Sequence, residues 1–296
     1  MIEVEYIHGL ALHESKTINI NPKIASKGGA RPLTAAFKKA GQPVLSRIDN
    51  EEAIGRSRYD GLNISYRRRM SKRISVNTSY VLSKGVAYNG NAAAFRNRPT
   101  DPFDPFAKHD FGPVPTDERH RWVISSVAEL PWGFQVSPIL QLASARPYTG
   151  IQGFDVLGVG SGRGNAHIFV DDSDPNNITK YGGTDKKTIA ALRACIAANT
   201  CHQIGFDTLR GQTFFQLDLR VSKKIRLGEK ANLRLLSQFF DLTNRANFGN
   251  NFDGNVRDFN SDPTTNAFRT ATGFITPNGV IVPKSFRAEF GAEFRF

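Results

Sequence analysis

Few residues of this chain stand in a pattern that could carry catalysis. Residues 117–121 read D-E-R-H-R and combine carboxylates, guanidinium groups and an imidazole, but no nucleophile accompanies them. The sequence has no Ser-His-Asp constellation, no Walker loop and no H-E-x-x-H helix, which are the arrangements that hydrolysis and phosphoryl transfer commonly use. We therefore expect an ion-pair network at 117–121, and we predict that the protein is not an enzyme.

The two cysteines, Cys195 and Cys201, lie six positions apart in a long polar stretch. Residues 185–199 just before Cys201 have the apolar spacing of a short amphipathic helix. Thiols in an exposed loop pair when the protein is exported to an oxidising compartment, which the strand pattern described below favours. We therefore predict a disulfide that joins the helix end to the next turn. Two unpaired thiols are the alternative. A metal site is disfavoured, because only His202 lies nearby and no other cysteines exist.

Two loop motifs have the composition of ligand sites but not the context. Residues 158–164 read G-V-G-S-G-R-G, yet the residues that follow predict a strand, whereas a phosphate-binding turn must open a helix. The acidic group Asp171, Asp172, Asp174 and Asn176 could offer oxygen ligands to calcium, but its spacing is not that of an EF-hand. We expect an extended loop and a solvated turn, and we predict no metal and no cofactor.

The last eleven residues predict a strand with two different faces. Residues 286–296 read F-R-A-E-F-G-A-E-F-R-F. Alternation places Phe and Ala on one face and mostly charged residues on the other. A soluble sandwich would bury the apolar face against a second sheet, whereas an outer-membrane barrel would turn it toward lipid. Bacterial outer-membrane proteins typically end on such a strand, so the terminal Phe296 favours the barrel.

Short turns and long loops alternate along the chain. We predict paired strands at 58–69 with 73–84, 119–130 with 134–146 and 213–226 with 231–243, and single strands near 2–8 and at 285–296. The short turns are 70–72, 131–133 and 228–230, and the long loops are 9–55, 86–118, 147–211 and 244–284. This topology is typical of an outer-membrane barrel, and loops of such length are uncommon in compact soluble domains. The predicted fold is all-β, an antiparallel transmembrane β-barrel of about eight strands.

Two details of that fold stay open in the sequence. The strands at 119–130 and 231–243 have apolar residues at both parities, so the side that faces lipid is not fixed. Trp132, Phe134 and Phe296 would lie near the short turns, where they form either an aromatic girdle or ordinary core contacts.

The composition limits the partners. The chain has 296 residues and a formal charge of +12, and its mean hydropathy is −0.36. No run of 18 apolar residues exists, so a helical membrane span is excluded. Basic clusters at 67–73 and 223–226 suit a barrel lumen or lipid phosphates. A nucleic-acid surface would interleave aromatic platforms with the basic residues, but here the aromatics alternate onto the opposite face. We therefore expect no nucleic-acid partner.

Several segments, in order, resemble the TonB-dependent receptor superfamily, and within it the Oar-like β-barrel group. They are Y-D-G-L-N-I-S-Y-R-R-R-M-S-K-R-I-S-V-N-T-S-Y-V-L-S-K (59–84), D-E-R-H-R-W-V-I-S-S-V-A-E-L-P-W-G (117–133), A-R-P-Y-T (145–149), F-F-Q-L-D-L-R-V-S-K-K-I-R-L-G-E (214–229) and F-D-L-T-N-R-A-N-F (240–248). In that family a barrel of about 22 strands encloses an N-terminal plug. A coupling box precedes the plug, and a carboxypeptidase-regulatory-like domain often lies earlier still.

The resemblance implies part of a receptor that moves an unidentified ligand across the outer membrane of a Gram-negative-type bacterium. Residues 1–296 would be the C-terminal portion of the barrel, without the plug and the regulatory-like domain. The start M-I-E-V-E-Y has no features of a signal peptide, which agrees with that expectation. TonB would then be contacted only through the missing N-terminal regions. The alternative is a stand-alone small barrel with a structural or adhesive role.

The resemblance also implies that the barrel assembly machinery reads the last strand. Phe290, Phe294 and Phe296 are the predicted assembly signal. Their apolar stripe is expected to contact outer-membrane lipid, with Phe296 at the periplasmic interface.

Overall fold

The structure is a computed structural model that describes residues 1–24, 27–88, 99–160, 166–228, 231–259, 266–272 and 286–296. Parts of several predicted loops, most of the glycine-rich stretch 158–164, and Glu229 and Lys230 of the third short turn lie outside these residues, so the predictions there are untested.

The described residues form thirteen strands and two α-helices. In chain order they are β1 (Ile2–Asn19), α1 (Thr34–Lys39), β2 (Asp49–Ser71), β3 (Ile74–Tyr88), β4 (Phe111–Pro113), β5 (His120–Glu129), β6 (Phe134–Ala143), β7 (Pro147–Tyr148), β8 (Phe169–Asp171), α2 (Lys186–Ala198), β9 (Cys201–Gln203), β10 (Leu209–Arg210), β11 (Phe214–Leu227), β12 (Ala231–Phe240) and β13 (Arg287–Arg295). Short 3-10 turns lie at Lys108–Asp110, Pro131–Gly133 and Val256–Asp258. No helix in these ranges has the length and apolarity needed to cross a membrane.

Eight long strands form one antiparallel meander in the order β1-β2-β3-β5-β6-β11-β12-β13. The short strand β4 adds to β3, while β7 with β10 and β8 with β9 form two small separate ladders. Every predicted strand is present, and both termini lie at the end of the sheet that carries the short turns. The predicted antiparallel all-β fold is therefore confirmed.

The meander has two open edges. Among the described residues β1 pairs only with β2 and β13 only with β12, so the sheet does not close on itself. Each edge presents a row of backbone N–H and C=O groups without ladder partners.

The first short turn differs by one residue from the predicted 70–72. Strand β2 continues through Ser71, which pairs with Ile74, so the turn is Lys72-Arg73. Both turn residues have positive φ, 49° and 68°, as in a type I′ turn, whose twist matches that of the flanking strands. The second turn lies at the predicted 131–133, where Trp132 and Gly133 have positive φ.

The loop predicted over 9–55 is shorter in the structure, where the connection spans 20–48 and contains α1. Strand β1 continues to Asn19 and β2 begins at Asp49, so the two form a ribbon with an unbroken ladder apart from an irregularity near Glu14. Polar side chains bond across this ribbon: the Ser57 hydroxyl donates to Glu14 over 2.8 Å, and that of Ser15 donates to Glu51 over 2.7 Å. Beyond Leu12 neither face of this ribbon carries a regular apolar stripe, so the period-two signal used to find strands is missing there.

The register resolves both faces that the sequence left open. Strand β5 sets Trp122 opposite Tyr80 and Ile124 opposite Thr78, so these residues share the face of the apolar stripe of β3. Strand β12 sets Leu235 opposite Ala292. The sheet thus has a continuous apolar face, which ends in the stripe of β13, and an opposite polar face.

Most of the fully buried side chains belong to the loops. Two apolar clusters lie there, one around Leu192 and Phe169 and the other around Ile168 and Val256. Backbone bonds between distant segments join these loops, for example Phe206 N–H to the His109 carbonyl at 2.8 Å. We name the described parts of residues 99–119, 144–213 and 241–272 the loop cap.

The predicted helix of the loop cap is confirmed as α2. The Asp185 carboxylate caps its start by accepting from the Thr188 N–H. Asn199 ends the helix in the left-handed conformation, with φ 52°, which asparagine tolerates well.

Candidate functional site

The polar face of the sheet forms an open groove of about 710 Å³. Its charged lining comes from two sides. Strand β2 contributes Arg67, Arg68 and Arg69, β11 contributes Asp218 and Arg220, and β12 contributes Arg234. We name this cavity the arginine groove.

The strands between the two sides give the groove a small, uncharged floor. Strands β3, β5 and β6 lie between β2 and β11 in the sheet. They contribute hydroxyl and amide side chains: Ser75, Asn77, Ser125, Gln135 and Ser137. The register places them in rows, because Asn77 pairs with both Arg67 and Ser125. The groove can therefore offer cations at its sides and neutral hydrogen-bond groups between them.

The sequence revealed only part of this site. It showed the basic cluster around Arg67 and Arg69, but Arg220 and Arg234 looked like ordinary strand residues. Arg220 and Arg234 lie near the arginines of β2 only because of the strand order in the sheet, and a single sequence does not reveal that order. The one usable signal was the alternation at Arg220, which stands between Leu219 and Val221.

The ion-pair network predicted at 117–121 is confirmed. It lies at the start of β5, at the end of the sheet that carries the long loops. Glu118 accepts from the Arg121 guanidinium and from that of Arg146, each at 2.7 Å. Asp117 accepts the Gly85 N–H at 2.9 Å. These bonds tie the loop before β5 to β3 and to the chain leaving β6.

A buried polar cluster holds the loop cap together. The His167 imidazole is 3 % exposed, its Nδ1 lies 3.0 Å from the Ile204 carbonyl, and its ring meets that of His109 edge to face. Its Nε2 lies 3.7 Å from Asp110. Burial lowers the pKa of His167 to about 4 and raises the pKa of Asp110, so the cluster favours uncharged forms.

Asp207 is a second buried carboxyl of the cap. It is 1 % exposed, one carboxyl oxygen accepts from the Thr149 hydroxyl, and the other has no partner. Burial raises its pKa to about 7, although the Thr149 bond and the charge of Arg210 oppose that rise. No motif in the sequence distinguished this residue.

Cys195 and Cys201 lie beside each other, at the end of α2 and the start of β9. Both are buried free thiols in the structure, and they belong to one buried apolar cluster of the loop cap. Burial raises the pKa of Cys201 to about 12. The proximity is what a disulfide needs, and the pairing itself stays a prediction.

The acidic group near Asp171 is bonded to protein groups. Asp171 accepts from Lys180 at 2.6 Å and from Tyr181 at 3.1 Å, and the Lys180 ammonium lowers the pKa of this carboxyl. Asp172 meets the His202 imidazole at 2.6 Å. Among the described residues, no group of three or more His, Cys, Asp or Glu side chains is placed to hold a metal ion.

The three phenylalanines of the predicted assembly signal lie on the apolar face. Phe290, Phe294 and Phe296 are 76, 56 and 97 % exposed, and Phe290 contacts only the edge of the Phe239 ring among aromatic side chains of the described residues. Trp132, at the same end of the sheet, is 85 % exposed. These rings are therefore placed for a surrounding apolar medium rather than for a protein core.

Comparison with known proteins places these features in a family. The model of the outer membrane beta barrel domain matches residues 1–279. The outer membrane transporter YddB from Escherichia coli is similar at 9 % identity and a TM-score of 0.38, over 99 % of this chain and 29 % of that one. This chain thus spans less than a third of that transporter. A search of curated proteins returned no match. Since the family model matches most of its length, the chain belongs to the outer membrane β-barrel domain family and resides in the outer membrane.

Proposed function

We propose that this chain is the C-terminal portion of the barrel of a TonB-dependent, Oar-like receptor that moves a ligand across the outer membrane. The observation that carries the proposal is the open meander with one apolar and one polar face. Each unpaired backbone polar group in lipid costs several kcal/mol. Both edges of the sheet therefore need neighbouring strands, and the polar face then lines the interior of a larger barrel.

In this architecture each part of the chain has its own role. The arginine groove is part of the interior wall, and the loop cap covers the outer entrance. Contacts with TonB belong to the regions of the receptor that precede residue 1, and the assembly machinery acts on β13. No catalytic step is part of this function.

Cross-linking of the two edge strands tests the proposal against a stand-alone eight-stranded barrel. Cysteine pairs are placed along β1 and β13 in the receptor that carries this chain, with Cys195 and Cys201 replaced by serine. The control pair is Leu235→Cys with Ala292→Cys, which face each other across β12 and β13. In outer membranes the control should cross-link and no pair between β1 and β13 should do so. Efficient cross-links between β1 and β13 of one chain would contradict the proposal.

A second measurement addresses energy coupling. The receptor should be retained by an immobilised periplasmic domain of TonB, whereas residues 1–296 produced alone should not be. Equal retention of both would contradict the assignment of the TonB contact to preceding regions.

A further inference from the structure

The cations of the arginine groove lack a matching set of anions. No ion pair involves the side chains of Arg67, Arg69 or Arg220 in the residues that the structure describes. Arg234 has only a long contact with Glu293, at 3.8 Å. Unpaired guanidinium groups in a concave, partly dehydrated site attract anions strongly. The groove therefore has an excess of positive charge that an anionic ligand could neutralise.

The one carboxylate of the lining, Asp218, forms no ion pair with these arginines in the described residues, and its single charge is outnumbered by theirs. Both oxygens of Asp218 accept from the Gln216 amide at 3.0 Å. One of them also accepts the Asp241 N–H at 2.8 Å. Asp218 is thus committed to the junction between β11 and the chain that leaves β12.

The spacing of the cations suits a ligand with more than one charge. Four inter-strand steps separate β2 from β11, which is about 19 Å between backbones at ~4.8 Å per step. The arginine side chains extend into that interval from both sides, and the hydroxyl-lined floor lies between them. A single small anion would contact one side only.

The position of the groove decides between soluble and lipid anions. Arg67, Arg69 and Arg220 lie on the polar face, opposite the apolar face that ends in Phe290 and Phe294. Phosphates of surrounding lipid meet the apolar face and the rims of a barrel, so they do not reach this groove. The ligand must arrive through the interior.

We propose that the arginine groove binds a soluble solute carrying two or more phosphate or carboxylate groups. Guanidinium groups from β2 and from β11 and β12 would hold its anionic groups, and the serine, asparagine and glutamine side chains between them would accept or donate hydrogen bonds to its centre. This inference deepens the proposed function, because it names the class of solute that the interior wall receives.

Equilibrium binding of tripolyphosphate and of citrate tests this inference. The detergent-solubilised receptor is titrated by calorimetry, with maltotriose as an uncharged probe. We expect saturable binding of at least one of the two anions, weaker at high salt, and none of maltotriose. Binding by tripolyphosphate alone, or by citrate alone, assigns phosphate or carboxylate chemistry. Absence of binding by both anions would overturn the proposal.

Matched variants show whether the groove is the site. Arg67→Gln with Arg220→Gln should weaken binding about tenfold or more, whereas Arg67→Lys with Arg220→Lys should retain part of it. The control, Arg193→Gln with Lys187→Gln on α2, removes the same charge far from the groove and should bind like the wild type. Heat-modifiable mobility confirms folding of each variant. Equal loss in the control and the groove variant would refute the site.

The two proposals can fail separately. If β1 and β13 cross-link but the groove variants lose anion binding, the larger barrel is wrong and the anion site stands. If the edges do not cross-link and the groove variants bind normally, the anion site is wrong and the larger barrel stands.

Discussion

Replacing Asp207 by asparagine should stabilise the loop cap at alkaline pH. The carboxyl is buried, one of its oxygens has no partner, and its pKa is raised to about 7 from the ordinary 3.8. Since the folded pKa is the higher one, the ionised form is disfavoured in the folded state. The cap therefore loses stability as the pH rises from 3.8 through 7, and the full penalty applies above 7.

The size of the effect follows from the two pKa values. Their separation corresponds to about 4 kcal/mol at any pH above 7. Asparagine cannot ionise, but its amide places a donor where the unpartnered oxygen lies, which costs about 1–3 kcal/mol. We therefore expect Asp207→Asn to gain about 1–3 kcal/mol at pH 8.5 and nothing, or a small loss, at pH 5. The backbone should adapt, because Asp207 has φ 49°, a conformation that asparagine adopts readily.

Urea-dependent thermolysin cleavage of the cap measures this difference. The wild-type protein is compared with Asp207→Asn at pH 8.5 and pH 5. The control is Asp174→Asn, at an exposed carboxylate of the same cap. The gain should appear in Asp207→Asn alone and only at the higher pH. A loss of stability at pH 8.5, or the same change at both values, would show that burial does not govern this carboxyl.

Three further predictions concern other parts of the chain. Cys195 and Cys201 should resist alkylation in protein from the outer membrane until a reductant is added; full alkylation without one would exclude the disulfide. Deleting Phe296 together with Phe290→Asp should remove the heat-modifiable form from outer membranes while synthesis continues, because an acidic charge then faces lipid, at a cost below the ~2–4 kcal/mol of a basic residue; wild-type levels would show that this strand is not a lipid-facing barrel strand. Gly211→Ala should destabilise the cap by about 1–3 kcal/mol, because a Cβ there would lie 1.9 Å from a backbone oxygen of the neighbouring loop; unchanged protease resistance would contradict that packing.

The strands could be predicted from the sequence because one of their faces is apolar. Alternation located β3 and β11 within a few residues, and the short turns fixed the pairing of neighbours. The same signal failed in the outer half of β1, where both faces are polar. It also left β5 and β12 ambiguous until Trp122 and Leu235 were placed by their ladder partners.

The candidate sites were harder to predict from the sequence, because they depend on contacts between distant segments. Arg220 joins Arg67 only through the order of five strands. Asp207 is buried by loops whose paths no local pattern dictates. Cys195 and Cys201 were recognisable because they are close in sequence and scarce in composition.

The interlocked loop cap constrains the order in which the molecule can be built. The Asn250 amide donates to the carbonyl of Pro115, 135 residues earlier, and to that of Pro147, 103 residues earlier. Contacts of such separation form slowly, because long segments must be closed before the bonds repay the lost entropy. We therefore expect the cap core to form last, once the segments that carry Pro115, Pro147 and Asn250 are all in place. A pause after the final hairpin would separate an inserted sheet with open loops from the finished, protease-resistant protein.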